Sequence, residues 1–199
     1  MQELHDGAGI YVTFCKGITL KGNFIRDIID TGGYGASAYY LDEQAENCVV
    51  EENLSIGVVR PSHNHMARSN TIRNNVFISD GDMNLTFSRS SNYVFEKNIL
   101  YTKNAISFEN PDAIVTLQNN VLFSAEGQIN CHKLKDYNRT GTYALEPNEA
   151  NVFEDPLLAE YEKGVVNIAP QSPAGKVGIK PIDVSNAGPR ASGGGRAEN

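Results

Sequence analysis

The sequence has no tryptophan, only three cysteines and no long run of apolar side chains in its 199 residues. A membrane-spanning helix needs roughly 18 consecutive apolar residues, so we expect no membrane partner. The start Met-Gln-Glu-Leu-His-Asp is polar and acidic, and so does not predict a signal peptide. There are 17 Lys and Arg against 24 Asp and Glu, giving a net charge of −7. Without a basic block, we expect no nucleic-acid partner.

The cysteines Cys15, Cys48 and Cys131 are an odd set without the spacing of a metal site. Cys48 falls at a predicted inward strand position, which favours the role of a small core residue. The cysteines therefore neither require nor exclude an oxidising compartment.

What the sequence does contain is a pattern that recurs five times. Two apolar residues separated by one position precede an asparagine, and an apolar residue or pair follows it, as in Ile18-Thr-Leu20-Lys-Gly-Asn23-Phe-Ile. The asparagines are 30, 22, 23 and 22 residues apart (53−23, 75−53, 98−75, 120−98). A period in this range indicates a solenoid. The five are Asn23, Asn53, Asn75, Asn98 and Asn120.

Alternation within each copy predicts a short strand with one face inward. Such a strand gains a ladder of hydrogen bonds when it stacks on an identical neighbour at a spacing of about 4.8 Å. Asparagine tolerates a left-handed backbone, so it suits a tight corner after the strand. Its side-chain amide can also bond to the asparagines of the coils above and below. We therefore predict an all-β chain folded as a parallel β-helix.

The repeats divide the chain into three predicted parts. Residues 1–150 form about five to six coils, with a sixth outward strand at 127–132 and a loop at 133–150. The first coil begins in mid-turn, so we expect N-terminal coils to be missing from this piece. Residues 151–190 are extended and punctuated by proline, which is typical of a segment that caps an open end. Residues 191–199 are expected to be a disordered tail.

The second coil is longer than the others, and its excess lies in a glycine-rich stretch near 27–36. Insertions in solenoids collect on one face, which is often the binding face, so we place a substrate groove near Gly32–Tyr34. Met66 is expected inside, which sends His63 and His65 outward. Counting back from each repeat asparagine gives one outward column of pairs: Tyr11/Thr13, Tyr40/Asp42, His63/His65, Thr86/Ser88 and Ser107/Glu109.

These features resemble one family. The repeated coils, the strand Ala38-Tyr-Tyr-Leu-Asp-Glu and the ending from Asp155-Pro156 to Pro181-Ile-Asp183 are similar to bacterial right-handed parallel β-helix proteins of the carbohydrate-active type, which is glycoside hydrolase or pectate-lyase-like. The resemblance is to the C-terminal part of such proteins. It implies a right-handed, single-stranded helix, a secreted or periplasmic location and a polysaccharide or oligosaccharide as partner. We expect a monomer.

The candidate catalytic residues are Asp42, Glu43, His63 and His65. Glycoside hydrolysis needs two carboxylates, at about 5–5.5 Å for retention or about 6.5–9.5 Å for inversion. Glu43 is the second one if the corner turns it outward. Otherwise Asp6, Asp30, Asp80 or a residue outside this chain supplies it. A histidine beside a carboxylate can share protons near neutral pH. The predicted substrate-binding residues are Tyr34, Tyr40, Ser88, Arg89 and Glu109, the last about 14 Å from Asp42.

Three other interpretations remain open. A polysaccharide lyase needs a cationic or tyrosyl group to remove a proton beside a uronate, and it must neutralise the uronate charge. The candidates for these roles are Arg60, Arg89 and Tyr40. A metal could bind His63 and His65 with Asp42 as third ligand, but no fourth ligand is evident, so we expect no metal and no cofactor. Finally, the chain could be a non-catalytic glycan-binding or structural solenoid, because this fold does not determine an activity.

Overall fold

A computed structural model describes residues 6–29, 35–135, 138–146 and 148–188. The protein is all-β, with 51% strand and 6% helix, and its parallel sheets stack into a β-solenoid of about four turns. The predicted fold class is therefore confirmed. Among the described residues, no helix has the length and apolar character needed to cross a membrane. The predicted tail at 191–199 and the groove at Gly32–Tyr34 lie outside the described residues.

Each turn contributes one strand to each of three sheets. In sheet 1, six strands are parallel and the last pair is antiparallel. Its strands are β1 (Gly7–Val12), β4 (Ala36–Leu41), β7 (Ser62–His65), β10 (Met83–Ser88), β13 (Ile106–Glu109), β16 (Ile129–Lys135) and β17 (Asn138–Ala144).

Sheets 2 and 3 each hold five parallel strands. Sheet 2 consists of β2 (Thr19–Lys21), β5 (Val49–Glu51), β8 (Thr71–Arg73), β11 (Tyr93–Glu96) and β14 (Ile114–Gln118). Sheet 3 consists of β3 (Phe24–Ile28), β6 (Leu54–Val58), β9 (Val76–Ser79), β12 (Ile99–Thr102) and β15 (Val121–Ser124).

The repeat asparagines form one file at the corner between sheets 2 and 3. Each side-chain amide donates to the side-chain oxygen of the next asparagine at 2.8–3.1 Å. That oxygen also accepts the preceding asparagine's backbone N–H. The predicted ladder is therefore confirmed. Asn151 adds a rung that the sequence analysis missed, with its side-chain oxygen 2.9 Å from the amide nitrogen of Asn120.

The ladder asparagines are not the left-handed residues of the corner, which corrects the sequence analysis. The residue just before each one has the positive φ: Gly22 (67°), Glu52 (53°), Asn74 (49°), Lys97 (54°) and Asn119 (58°). The ladder position instead requires a side chain with both a donor and an acceptor, because it bonds in both directions along the solenoid axis.

The interior is filled by the inward side chains of the three sheets, including Tyr39, Leu41, Phe87 and Phe108. Asn64 is fully buried between His63 and His65, so both histidines face outward as predicted. Met66, expected inside, is 43% exposed with a φ of 51°. It turns the corner after β7, where the strand alternation has already ended.

The C-terminal segment does not simply close the end of the solenoid. Around Asn151, one rung does continue the ladder, and Val152 pairs with Val121. The rest lies along the outer face of sheet 3, where Val166, Ala174 and Ile179 join a second apolar cluster with side chains of β6, β9 and β12. The segment contains β18 (Val165–Val166), β19 (Ile182–Asp183), the helix α1 (Pro173–Lys176) and a 3₁₀ turn at Tyr161–Lys163.

The predicted loop at 133–150 is also partly wrong. The strand β16 runs on to Lys135, and β17 returns beside it in the antiparallel direction. This hairpin follows the sixth outward strand, whose prediction at 127–132 is confirmed by β16. Sheet 1 therefore ends in a strand that runs against all the others.

Candidate functional site

The outer face of sheet 1 carries a cleft of about 550 Å³. Its floor is built from the outward residues of β4, β7, β10 and β13, and the β16–β17 hairpin forms one wall. The lining contains four carboxylates, two histidines and two arginines. The full lining is Asp6, Tyr40, Asp42, Glu43, Arg60, His63, His65, Thr86, Ser88, Glu109, Leu134 and Arg139.

Asp42 is the most highly connected carboxylate of the cleft. One of its oxygens accepts a hydrogen bond from the Tyr11 hydroxyl. The other lies 2.9 Å from Nδ1 of His65. Burial on its own would raise the pKa of Asp42, but the hydrogen bonds from Tyr11, His65 and the Glu43 backbone outweigh it and hold the pKa below its usual value. Asp42 is therefore ionised at neutral pH.

The negative charge of Asp42 affects the pKa of Tyr11 and the tautomer of His65. The hydrogen bond to Asp42, together with burial, raises the pKa of Tyr11 to about 12, so the phenol keeps its proton. Donation from Nδ1 of His65 to an ionised carboxylate leaves Nε2 of that ring without a proton when the imidazole is neutral. This arrangement suits a general base whose orientation a carboxylate holds.

His63 sits in a different environment on the same strand. Its Nδ1 is 3.0 Å from the Thr86 hydroxyl, and its ring centroid is 4.1 Å from that of Tyr40. Burial, with the positive charge of Arg60, lowers the pKa of His63 to about 3. His63 is therefore neutral at physiological pH, so one of its ring nitrogens can donate a hydrogen bond and the other can accept one.

The strand register places these residues in two columns. Asp42, His65 and Ser88 follow one another at the end of their strands. The other column contains Tyr11, Tyr40, His63, Thr86, Glu109 and His132.

Glu109 was predicted beside Ser88, and the structure pairs it with Thr86, two residues earlier in β10. The reason is the 3₁₀ turn at Pro111–Ala113, which replaces the simple corner in this coil. Glu109 still lines the cleft. It accepts a hydrogen bond from the Asn84 amide at 3.2 Å and lies 3.9 Å from the Arg139 guanidinium.

The remaining predicted residues divide between the cleft and other places. Glu43 and Ser88 line the cleft, so the corner does turn Glu43 outward. Arg89 has a φ of 54° and occupies the exposed corner after β10, outside the lining set, because the strand ends one residue before it. Tyr34 lies outside the described residues.

The possible second carboxylates are also separated. Asp6 lines the cleft, while Asp80 acts electrostatically on Tyr161 in the C-terminal segment. Asp30 lies outside the described residues.

Sequence reasoning missed the roles of Tyr11 and of the hairpin residues Leu134 and Arg139. Tyr11 was assigned to the outward column, but its bond to Asp42 depends on side-chain rotamers that alternation does not give. Leu134 and Arg139 are cross-strand neighbours in an antiparallel pair. The β-branched and aromatic residues of Thr140-Gly-Thr-Tyr143 are the signal that could have indicated this strand.

No side-chain group in the described part of the chain brings three or more His, Cys, Asp or Glu together as a metal site would. His65 is engaged with Asp42, and His63 faces Thr86 through Nδ1. The cleft thus combines an ionised carboxylate, Asp42, with a neutral histidine, His63.

The fold and cleft together define a parallel β-solenoid protein with a carboxylate–histidine cleft on one sheet. When the chain is compared with known proteins, no family model, curated protein or solved structure matches it.

Proposed function

We propose that this chain is part of a carbohydrate-active protein that binds a polysaccharide or oligosaccharide in the sheet 1 cleft and hydrolyses a glycosidic bond. The observation that carries the proposal is the ionised Asp42, held by Tyr11 and His65 beside a second carboxylate in the same cleft. A secreted or periplasmic, monomeric protein is part of this proposal.

The protonation state of Asp42 assigns its role, and the position of Glu43 beside it in the lining assigns the other role. Asp42, with a lowered pKa, has no proton to give at neutral pH, so it acts as the base or the nucleophile. The acid that protonates the leaving oxygen is then Glu43, its neighbour at the corner and also part of the lining. Water supplies the hydroxyl of the new reducing end and a proton that restores the acid.

A polysaccharide lyase is the second candidate, because one contact specifically favours it. His65, oriented by Asp42, is the candidate base for removing a proton from carbon. Arg60 and Arg139 in the lining supply positive charge toward a uronate carboxylate. Elimination would instead break the bond between the glycosidic oxygen and C4 of the uronate, and it would leave a double bond in the product.

The test is to incubate the protein with a panel of plant and host glycans and to compare it with Asp42→Asn. We expect the substitution to lower turnover by about a hundredfold or more, because proton transfer contributes roughly that factor. The matched control is Glu126→Gln, which makes the same change of a carboxylate to an amide at an exposed site.

The products distinguish the candidates. New reducing ends without ultraviolet absorbance support hydrolysis, and an unsaturated sugar supports elimination. Unchanged turnover in Asp42→Asn contradicts the assigned role. Glycan binding without any product, lost on substitution of Asp42, would assign the cleft to a non-catalytic binding module.

A further inference from the structure

Two cysteines of neighbouring coils face each other inside the solenoid. The Sγ atoms of Cys15 and Cys48 are 3.8 Å apart, although 33 residues separate them in the chain. Cys48 is fully buried, whereas Cys15 is partly exposed in the corner between β1 and β2. Both are free thiols, and the third cysteine, Cys131, is buried in β16.

The backbone around the pair is already fixed by hydrogen bonds between coils. The carbonyl of Cys15 accepts the Glu46 N–H at 3.0 Å. The N–H of Cys48 donates to the Asn70 side chain at 2.8 Å, and its carbonyl accepts the Thr71 N–H at 2.9 Å. The sulfurs must therefore approach from 3.8 Å to about 2.05 Å through side-chain rotation. Cys15, at an exposed corner, has the greater freedom for that rotation.

We propose that Cys15 and Cys48 form an oxidisable pair, and that a disulfide between them clamps the first coil onto the second. The clamp acts on a strand that is only partly buried. Ile10 and Val12 of β1 are only partly buried, whereas their register partners Tyr39 and Leu41 in β4 are 1% exposed. A strand with partly buried side chains opens more readily than one whose side chains are fully buried.

The chemistry requires a disulfide oxidant, for which oxidised glutathione is a suitable probe. The accessible Cys15 thiolate attacks one glutathione sulfur and releases one glutathione thiolate. Cys48 then attacks the Cys15 sulfur of the mixed disulfide and releases the second glutathione. The protein loses two thiol protons and two electrons, and the glutathione disulfide gains them. Burial and the neighbouring thiol raise the pKa of Cys15 to about 11, so the first step accelerates toward alkaline pH.

The clamp also bears on the cleft. Tyr11, in the first coil, donates to Asp42, in the second, so the cross-link joins the two coils between which that hydrogen bond runs. This consequence does not depend on which glycan, if any, the cleft accepts.

The test is to treat the folded full chain with oxidised glutathione at mildly alkaline pH and to map its peptides by mass spectrometry. We expect an intramolecular Cys15–Cys48 peptide pair lacking two hydrogen atoms. We also expect hydrogen exchange in Gly7–Val12 to slow by about tenfold, because closing the loop restricts opening of that coil.

Cys131→Ser is the matched control and should retain both effects, while Cys15→Ser should lose both. Several outcomes would overturn the proposal. They are glutathione retained on Cys15 without the cross-link, disulfides between molecules instead of within one, or equal reaction at Cys131. A Cys15–Cys48 cross-link that leaves exchange in Gly7–Val12 unchanged would overturn the clamp.

Discussion

The Tyr11 hydroxyl donates a hydrogen bond to the Asp42 carboxylate, although 31 residues separate them in the chain. The bond joins the first coil to the second and helps to keep the carboxylate ionised despite its burial. A residue of the neighbouring coil thus helps to set the protonation state of the residue to which we assign catalysis.

Replacing Tyr11 by phenylalanine should raise the pKa of Asp42, because one of the hydrogen bonds to the ionised form is lost. The native pKa of Asp42 is lowered, so its contribution to stability is present above the unfolded pKa and is lost as the pH falls through the folded one. Tyr11→Phe should therefore diminish that contribution. Titration of the Asp42 carboxyl carbon by NMR measures the shift.

Tyr101→Phe, which removes a hydroxyl on sheet 3, is the control and should leave the Asp42 titration unchanged. An Asp42 pKa that does not move in Tyr11→Phe would show that the other partners of Asp42 alone keep it ionised.

His63 should remain neutral far below the pH at which an exposed imidazole takes a proton. Its pKa is lowered from 6.5 to about 3 by burial and by the charges of Arg60 and His65. Between those two values the unfolded chain binds more protons than the folded one, so this group makes stability fall as the pH falls. Nitrogen chemical shifts of the ring should stay at their neutral values through mildly acidic pH.

The same ring in urea-unfolded protein should titrate near 6.5. His63→Gln should make the acid-side loss of stability shallower. A titration of native His63 near the unfolded value would contradict its burial in the cleft floor.

Removing one inner rung of the asparagine ladder should destabilise the whole stack. The Asn98 side chain donates to the Ile72 carbonyl and to Asn120, and accepts two bonds from Asn75. Asn98→Ala should cost about 4 kcal/mol of unfolding free energy, because about four buried hydrogen bonds contribute roughly 1 kcal/mol each.

Asn23→Ala, at the first rung, is the matched control. Its side chain gives one ladder bond to Asn53, so the expected cost is about 1 kcal/mol. Urea unfolding midpoints measure both values, and equal losses at the two sites would contradict a cooperative ladder.

The left-handed corner before each ladder asparagine predicts a gain on substitution by glycine. Lys97 holds a φ of 54° there. Lys97→Gly should stabilise the protein by about 1 kcal/mol, because a left-handed backbone costs an ordinary residue roughly that amount. Thermal unfolding measures the change.

The reverse substitution at the equivalent corner is Gly22→Ala. An added Cβ at Gly22 meets nothing within 4 Å, so any loss is conformational and not steric. We expect a loss of about 1 kcal/mol. Stability unchanged at both sites would contradict the assignment of strain to this position.

The coil architecture could be predicted because it rests on one residue type returning at a regular interval. The Asn23-to-Asn120 file follows from spacing alone. The outward direction of His63 and His65 was predicted from an inward Met66, which is exposed, and the buried Asn64 between them is what supports it. The corner geometry did not follow, because asparagine is common both at left-handed positions and at ladder positions. The predicted register of Glu109 was wrong, because a 3₁₀ turn at Pro111–Ala113 takes the place of a simple corner in that coil.

Two larger features were missed for different reasons. The hairpin of β16 and β17 is antiparallel, so counting parallel repeats cannot find it. The covering of sheet 3 by the C-terminal segment could have been predicted from the sequence. The segments Val76-Phe77-Ile78 and Val121-Leu122-Phe123 are apolar on both faces. Continuous apolar runs are typical of a sheet covered on both sides. In the site, register placed Asp42 near the histidines, but the bonds to Tyr11 and His65 depend on rotamers.

All the ladder amides point the same way, from Asn23 toward Asn151. Every asparagine of the ladder thus offers a side-chain donor to one neighbour and a side-chain acceptor to the other. A gene segment encoding one full turn could be duplicated or lost, and the joint would still close. Such a protein can change its length in evolution by whole turns while its asparagine ladder stays continuous.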